Sequence, residues 1–167
     1  MHTKGRLLCA LEHRLTPVNS FGHGHSVGTG KSGNILTAEE AKPSNPHRIS
    51  PPKVTAVAYC PDGRRVACTY ADSVVRIWDL ALCEIVQQLH GHKDGPVWSA
   101  AFAPSGIELV TGGADKSARV WDMARHGSFA ASFEGHGAAV TSIACAPDGR
   151  SFVSSSFDTS ACVWYVC

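Results

Sequence analysis

The chain has 167 residues, of which 44% are hydrophobic and 17% charged; that is one ordinary domain's worth of sequence, with enough apolar content for a packed core and too much for wholesale disorder. The net charge is +1, although residues 1–53 carry seven Lys/Arg against three Asp/Glu and residues 54–167 carry eight against eleven. Neither part is charged enough to make nucleic acid or an anionic membrane the main partner.

No apolar run approaches the ~18 residues of a bilayer-spanning helix. The start, MHTKGRLLCALEHRL, has no secretory h-region before Glu12. These features predict an intracellular protein, cytoplasmic or nuclear. The seven cysteines (Cys9, Cys60, Cys68, Cys83, Cys145, Cys162 and Cys167) are odd in number, lack a CxxC pair and mostly sit in apolar runs. They predict buried free thiols, not a disulfide framework or a zinc site.

Taken in chain order, residues 1–13 hold a short apolar run, RLLCAL at 6–11, that is a candidate outer β-strand. Residues 14–52 are rich in Gly, Ser, Pro, His and Asn, and read as a flexible insertion. Inside it, Thr37-Ala-Glu-Glu40 is a capping box for a short helix that ends near Lys42-Pro43. The stretch GTGKSG at 28–33 offers the rival functional reading, nucleotide binding by the loop from Gly28 to Ser32. Its Walker spacing fails, because the first glycine would fall on His25, and no apolar strand precedes it. His23 and His25 have no Cys or carboxylate nearby to complete a metal site. No metal or cofactor is therefore expected.

Residues 53–167 repeat. Pro61, Pro104 and Pro147 are 43 residues apart, as are Gly63, Gly106 and Gly149, Asp72, Asp115 and Asp158, and Trp78, Trp121 and Trp164. Each unit (about 53–90, 91–134 and 135–167) predicts the same strands. Apolar runs at 54–59, 97–102 and 140–145 each end in a Pro-x-Gly turn. Second strands follow at 65–69, 108–111 and 151–154, then a turn carrying the repeated Asp, then a third strand ending in the Trp. Fourth strands fit residues 84–89 and 128–133, whose EIVQQL and SFAASF patterns are like that of 6–11.

The linkers ending in Gly91-His92 and Gly135-His136, the Pro-x-Gly turns, the turn Asp and the dipeptides Trp78-Asp79 and Trp121-Asp122 resemble the WD-repeat family. The resemblance implies an all-β fold of about three four-stranded antiparallel propeller blades. Three blades make an incomplete ring, since closed propellers have four to eight. That predicts first a fragment of a larger propeller; the alternatives are self-association through open blade edges, two arcs giving six blades, and an arc that closes poorly and is unstable. The resemblance also implies structural tetrads of His92, Thr111, Asp115 and Trp121, and of His136, Ser154, Asp158 and Trp164. Cys68 replaces the hydroxyl in the first repeat, no His lies four or five residues before Val54, and Trp164-Tyr165 replaces Trp-Asp in the third.

No nucleophile–base pair, paired carboxylates or cofactor fingerprint stands at a recognisable spacing, so the expected function is non-enzymatic: a scaffold or adaptor that binds proteins or peptides within a complex. In propellers similar to this one, partners dock at the loops entering the innermost strands. Here those are Lys53 and Thr55, Pro96 and Trp98, and Ala139 and Thr141, joined by Ala71, Ala114 and Phe157 before the turn Asp. Trp98 lies outside the 43-residue Trp series, which marks it as a binding hot spot. The plainer alternative is that it packs under a neighbouring loop.

Overall fold

The computed structural model describes residues 52–166. The outer-strand candidate at 6–11, the capping box at Thr37, the loop 28–32 and the His23/His25 pair lie outside them. Eleven strands form three antiparallel sheets among the described residues. The first sheet takes β1 (Val54–Tyr59), β2 (Arg65–Tyr70), β3 (Val74–Asp79) and β4 (Glu84–His90) in chain order. The second takes β5 (Val97–Phe102), β6 (Glu108–Gly113), β7 (Ala118–Asp122) and β8 (Ser128–Phe133) in the same way, with a 3-10 turn at Met123–Arg125 before β8. The third holds β9 (Val140–Cys145), β10 (Ser151–Ser156) and β11 (Ala161–Tyr165). The described residues are therefore all-β, arranged as an open series of propeller-like blades.

The hairpin between the first two strands is the same in each sheet. Gly63, Gly106 and Gly149 have φ of 68°, 68° and 70°, and each donates its N–H to the carbonyl three residues back. Proline at the second turn position presets φ, and glycine alone enters the left-handed region without cost. The second strands run further than their composition suggests, to Tyr70, Gly113 and Ser156. Gly112 and Gly113 read as strand breakers, yet both stay in the ladder, opposite Ser99 and Val97.

Both faces of a sheet are apolar, so sheets stack. β5 lies on β1 and β2, and β9 on β5 and β6. The first interface buries Ala67, Ile77, Val97, Leu109 and Trp121; the second buries Val110, Val120, Val140, Ile143 and Phe152. Cys60, Cys68, Cys145 and Cys162 are free thiols in or beside these layers. Burial pushes the thiols of Cys68 and Cys145 up to about 11, so both stay protonated and behave as small hydrophobes. Cys83 departs from the expectation of free thiols: it is disulfide-bonded. It sits in the exposed turn between β3 and β4.

Leu109, fully buried between the first two sheets, tests the stacking. Leu109→Ala should cost about 2–5 kcal/mol by urea denaturation, the range for a core truncation that leaves a cavity.

Candidate functional site

The repeated His, hydroxyl, Asp and Trp converge in the second and third sheets. His92 stands in the loop after β4, Thr111 on β6, Asp115 in the following turn and Trp121 on β7. The Trp121 indole N–H donates to Thr111 Oγ1 at 2.9 Å. Thr111 Oγ1 lies 2.7 Å from His92 Nε2, and His92 Nδ1 lies 3.0 Å from Asp115 Oδ1. In the third sheet Trp164 donates to Ser154 Oγ at 2.7 Å, Ser154 Oγ is 2.7 Å from His136 Nε2, and His136 Nδ1 is 2.8 Å from Asp158 Oδ2. The indole can only donate and the carboxylate only accept. The donors therefore run one way along the chain: indole to hydroxyl, hydroxyl to Nε2, and Nδ1–H to carboxylate.

The Asp works twice. Asp72, Asp115 and Asp158 each accept the backbone N–H two residues on, from Val74, Ser117 and Ser160. That holds the residues between, Ser73, Lys116 and Thr159, at φ of 67°, 68° and 71°. Burial works against the charge of Asp115, but the His92 ring, the Lys93 N–H and the Ser117 hydroxyl outweigh it and hold the carboxyl well below the ordinary range. The Ser160 hydroxyl leads the same effect at Asp158. Ser154, His136 and Asp158 follow the order of a hydrolase triad. Ser154 is fully buried, however, and its oxygen already accepts the Trp164 N–H. The arrangement can brace the sheet but offers no room for a substrate.

A second group of residues lies along one rim. Ala71, Ala114 and Phe157 donate their N–H groups to the carbonyls of Lys53, Pro96 and Ala139. These bonds put the six residues in three equivalent positions. Thr55, Trp98 and Thr141 are each the extra residue of a β-bulge at the head of β1, β5 and β9. A bulge re-aims the side chain it carries. The Thr55 hydroxyl bonds Thr69 Oγ1 at 2.8 Å and the Val97 carbonyl; the Thr141 hydroxyl bonds the Ser155 carbonyl at 3.2 Å. Trp98 cannot turn back in this way and is 40% exposed, while Phe157 is 71% exposed. Beside the rim lies a polar cleft of about 330 Å³ walled by Lys93, Lys116, Arg119, Asp94, Asp115 and Glu134. Its charges balance, so it does not select an anion. Among the described residues, no group of three or more His, Cys, Asp or Glu side chains could hold a metal.

The family model described as WD domain, G-beta repeat matches residues 45–79, 83–122 and 127–165, well over half of the chain. The chain belongs to the WD-repeat family. A search of curated proteins returned no match.

The first WD repeat is braced differently. Tyr70 holds the position of Gly113, where even a Cβ would lie 2.7 Å from His92 Nδ1. The third repeat tolerates a serine there, Ser156, but a phenol ring takes the volume an imidazole would need. Asp72 pairs instead with Arg76, by bonds of 3.1 and 2.7 Å, and the guanidinium lies 4.4 Å over the Tyr70 ring. Trp78 is buried, with its Nε1 unpartnered among the described residues. Burial pushes the Tyr70 phenol up, and the Trp78 N–H beside it opposes that rise without reaching hydrogen-bonding geometry. This Tyr70–Arg76 brace was not anticipated; the large residue at a position otherwise Gly or Ser was its signal.

Two measurements follow from the brackets. Trp121→Phe should destabilise the chain by about 1–3 kcal/mol more than Trp78→Phe in urea denaturation, because only Trp121 gives up a buried hydrogen bond and strands Thr111. The lowered carboxyls of Asp115 and Asp158 make their contribution complete above the unfolded value of about 3.9. That contribution drains as pH falls from there through the folded values. Thermal denaturation at pH 7 to 3 should show stability falling below about pH 4, with a smaller fall in Asp115→Asn.

Proposed function

We propose that this chain is an adaptor that holds other proteins in a complex, binding a protein or peptide along the rim formed by the heads of β1, β5 and β9. WD repeats are in general protein-interaction scaffolds and typically not enzymes. The observation that carries the reading is Trp98. The bulge at Val97/Ser99 turns a large aromatic out of the ladder, while the matching threonines bond back to the protein. An exposed indole costs little side-chain entropy to immobilise and presents a wide contact area, the character of an interface anchor. Phe157 supports it as a second exposed aromatic on the rim. The smaller members of the set, Ala71, Ala114, Ala139 and Pro96, leave shallow ground beside them for a chain to lie on. The working compartment we propose is the cytoplasm or nucleus.

Affinity capture from cell extract, followed by titration of the captured partner, tests the reading. Trp98→Ala should weaken binding by about 2 kcal/mol or more, roughly 30-fold, with unchanged circular dichroism. Undiminished binding by both Trp98→Ala and Phe157→Ala would remove the rim as the docking site.

A further inference from the structure

The contact between neighbouring sheets follows one template, used twice. The rear face of the first sheet presents Ala58, Ala67 and Ile77, and that of the second presents Ala101, Val110 and Val120; both rows are packed by the sheet that follows. The same positions of the third sheet are Ala144, Val153 and Val163, directly opposite one another in the ladder. Here they are exposed, Val153 at 41% and Val163 at 58%. The front half of the template is Val97, Ala100 and Phe102 on β5, and Val140, Ile143 and Cys145 on β9. Its equivalents on β1 are Val54, Val57 and Tyr59, and these are exposed too, Val57 at 65% and Tyr59 at 69%. One chain thus carries both halves of the same interface, each unfilled among the described residues.

Two details favour a blade as the occupant of the rear face. Ser99 Oγ accepts the Ile143 N–H across the second interface at 3.0 Å. Ser142 stands one repeat beyond Ser99, on the open sheet, and Val57 holds the register position of Ile143 on β1, so a second copy offers its Val57 N–H to Ser142. Asp79 and Asp122 cap the turns that follow β3 and β7. Tyr165 takes that position in the third repeat and is 73% exposed, adding an aromatic to the open face in place of a charge.

We infer that two copies of this chain close on each other head to tail, the rear face of each third sheet seated on β1 of the other, to make one six-bladed ring. Each contact is heterologous and both are the same, so a two-fold axis closes the assembly. Six blades fall within the four to eight that close; three copies would give nine, outside it. The inference goes beyond the adaptor reading and does not depend on the rim.

The test is the solution mass of the full chain by light scattering, with circular dichroism on the same samples. The chain should run at twice its monomer mass. Val57→Asp and Val163→Asp, each a charge in one half of the template, should each halve that mass with the β-sheet spectrum intact. Ile107→Asp, at an equally exposed apolar residue off both faces, should stay dimeric. A monomeric or open-ended wild-type chain overturns the inference. So does a dimer that survives either face variant, or one that Ile107→Asp disrupts equally, which would mean unspecific adhesion.

Discussion

The carboxylate of the turn aspartate carries the repeat. Through one oxygen it holds a left-handed turn between the second and third strands, by accepting the N–H two residues on. Through its contact with the loop imidazole it pins the loop that enters its own sheet, and through the hydroxyl the same chain of bonds fixes the tryptophan. The turn function needs only the aspartate. The bracket needs three further groups with free volume between them. The first repeat keeps the aspartate and its turn although its sequence has no histidine at the matching position, so the turn does not need the bracket.

Buried polar groups are costly unless every member is satisfied. Two of the three brackets are fully satisfied, and both tie a loop to the sheet that follows it. The first leaves the Trp78 and Arg76 Nε nitrogens without acceptors among the described residues, and relies on a salt bridge and on packing around Val66, Cys68 and Trp78. Chemistry at these groups is muted for the same reason that they are good braces: each hydroxyl and imidazole is already spoken for and closed to solvent.

A sheet that is apolar on both faces cannot end a stack quietly. Between the first and second sheets, and the second and third, the matching rows interlock at a constant offset of 43 residues. At the two ends of the series the same rows meet nothing among the described residues. The rim is a different kind of surface: there Ala71, Ala114 and Phe157 bond back to Lys53, Pro96 and Ala139, and only single side chains stand out. Open interface and binding rim are therefore separable, one made of whole sheet faces and the other of bulge residues.

Strand positions and hairpin turns were legible in the sequence, because each depends on residue type at a fixed offset: proline and glycine at the turn, aspartate two residues before its N–H partner. The members of the two complete brackets were implied only by the resemblance to the WD-repeat family. Composition misjudged the ends of β2, β6 and β10, since ladder bonds to a neighbour, not propensity, keep Gly112 and Gly113 extended. It also placed every thiol alike, though Cys83 lies on an exposed turn. Which of Thr55, Trp98 and Thr141 faces out was decided only by tertiary structure, where a hydroxyl can bond back to the sheet and an indole of that size cannot. The Tyr70–Arg76 brace and the exposure of Val57 and Val163 belong there as well. They depend on which faces find a neighbour in space, and a periodic sequence presents the same face every time whether or not one is there.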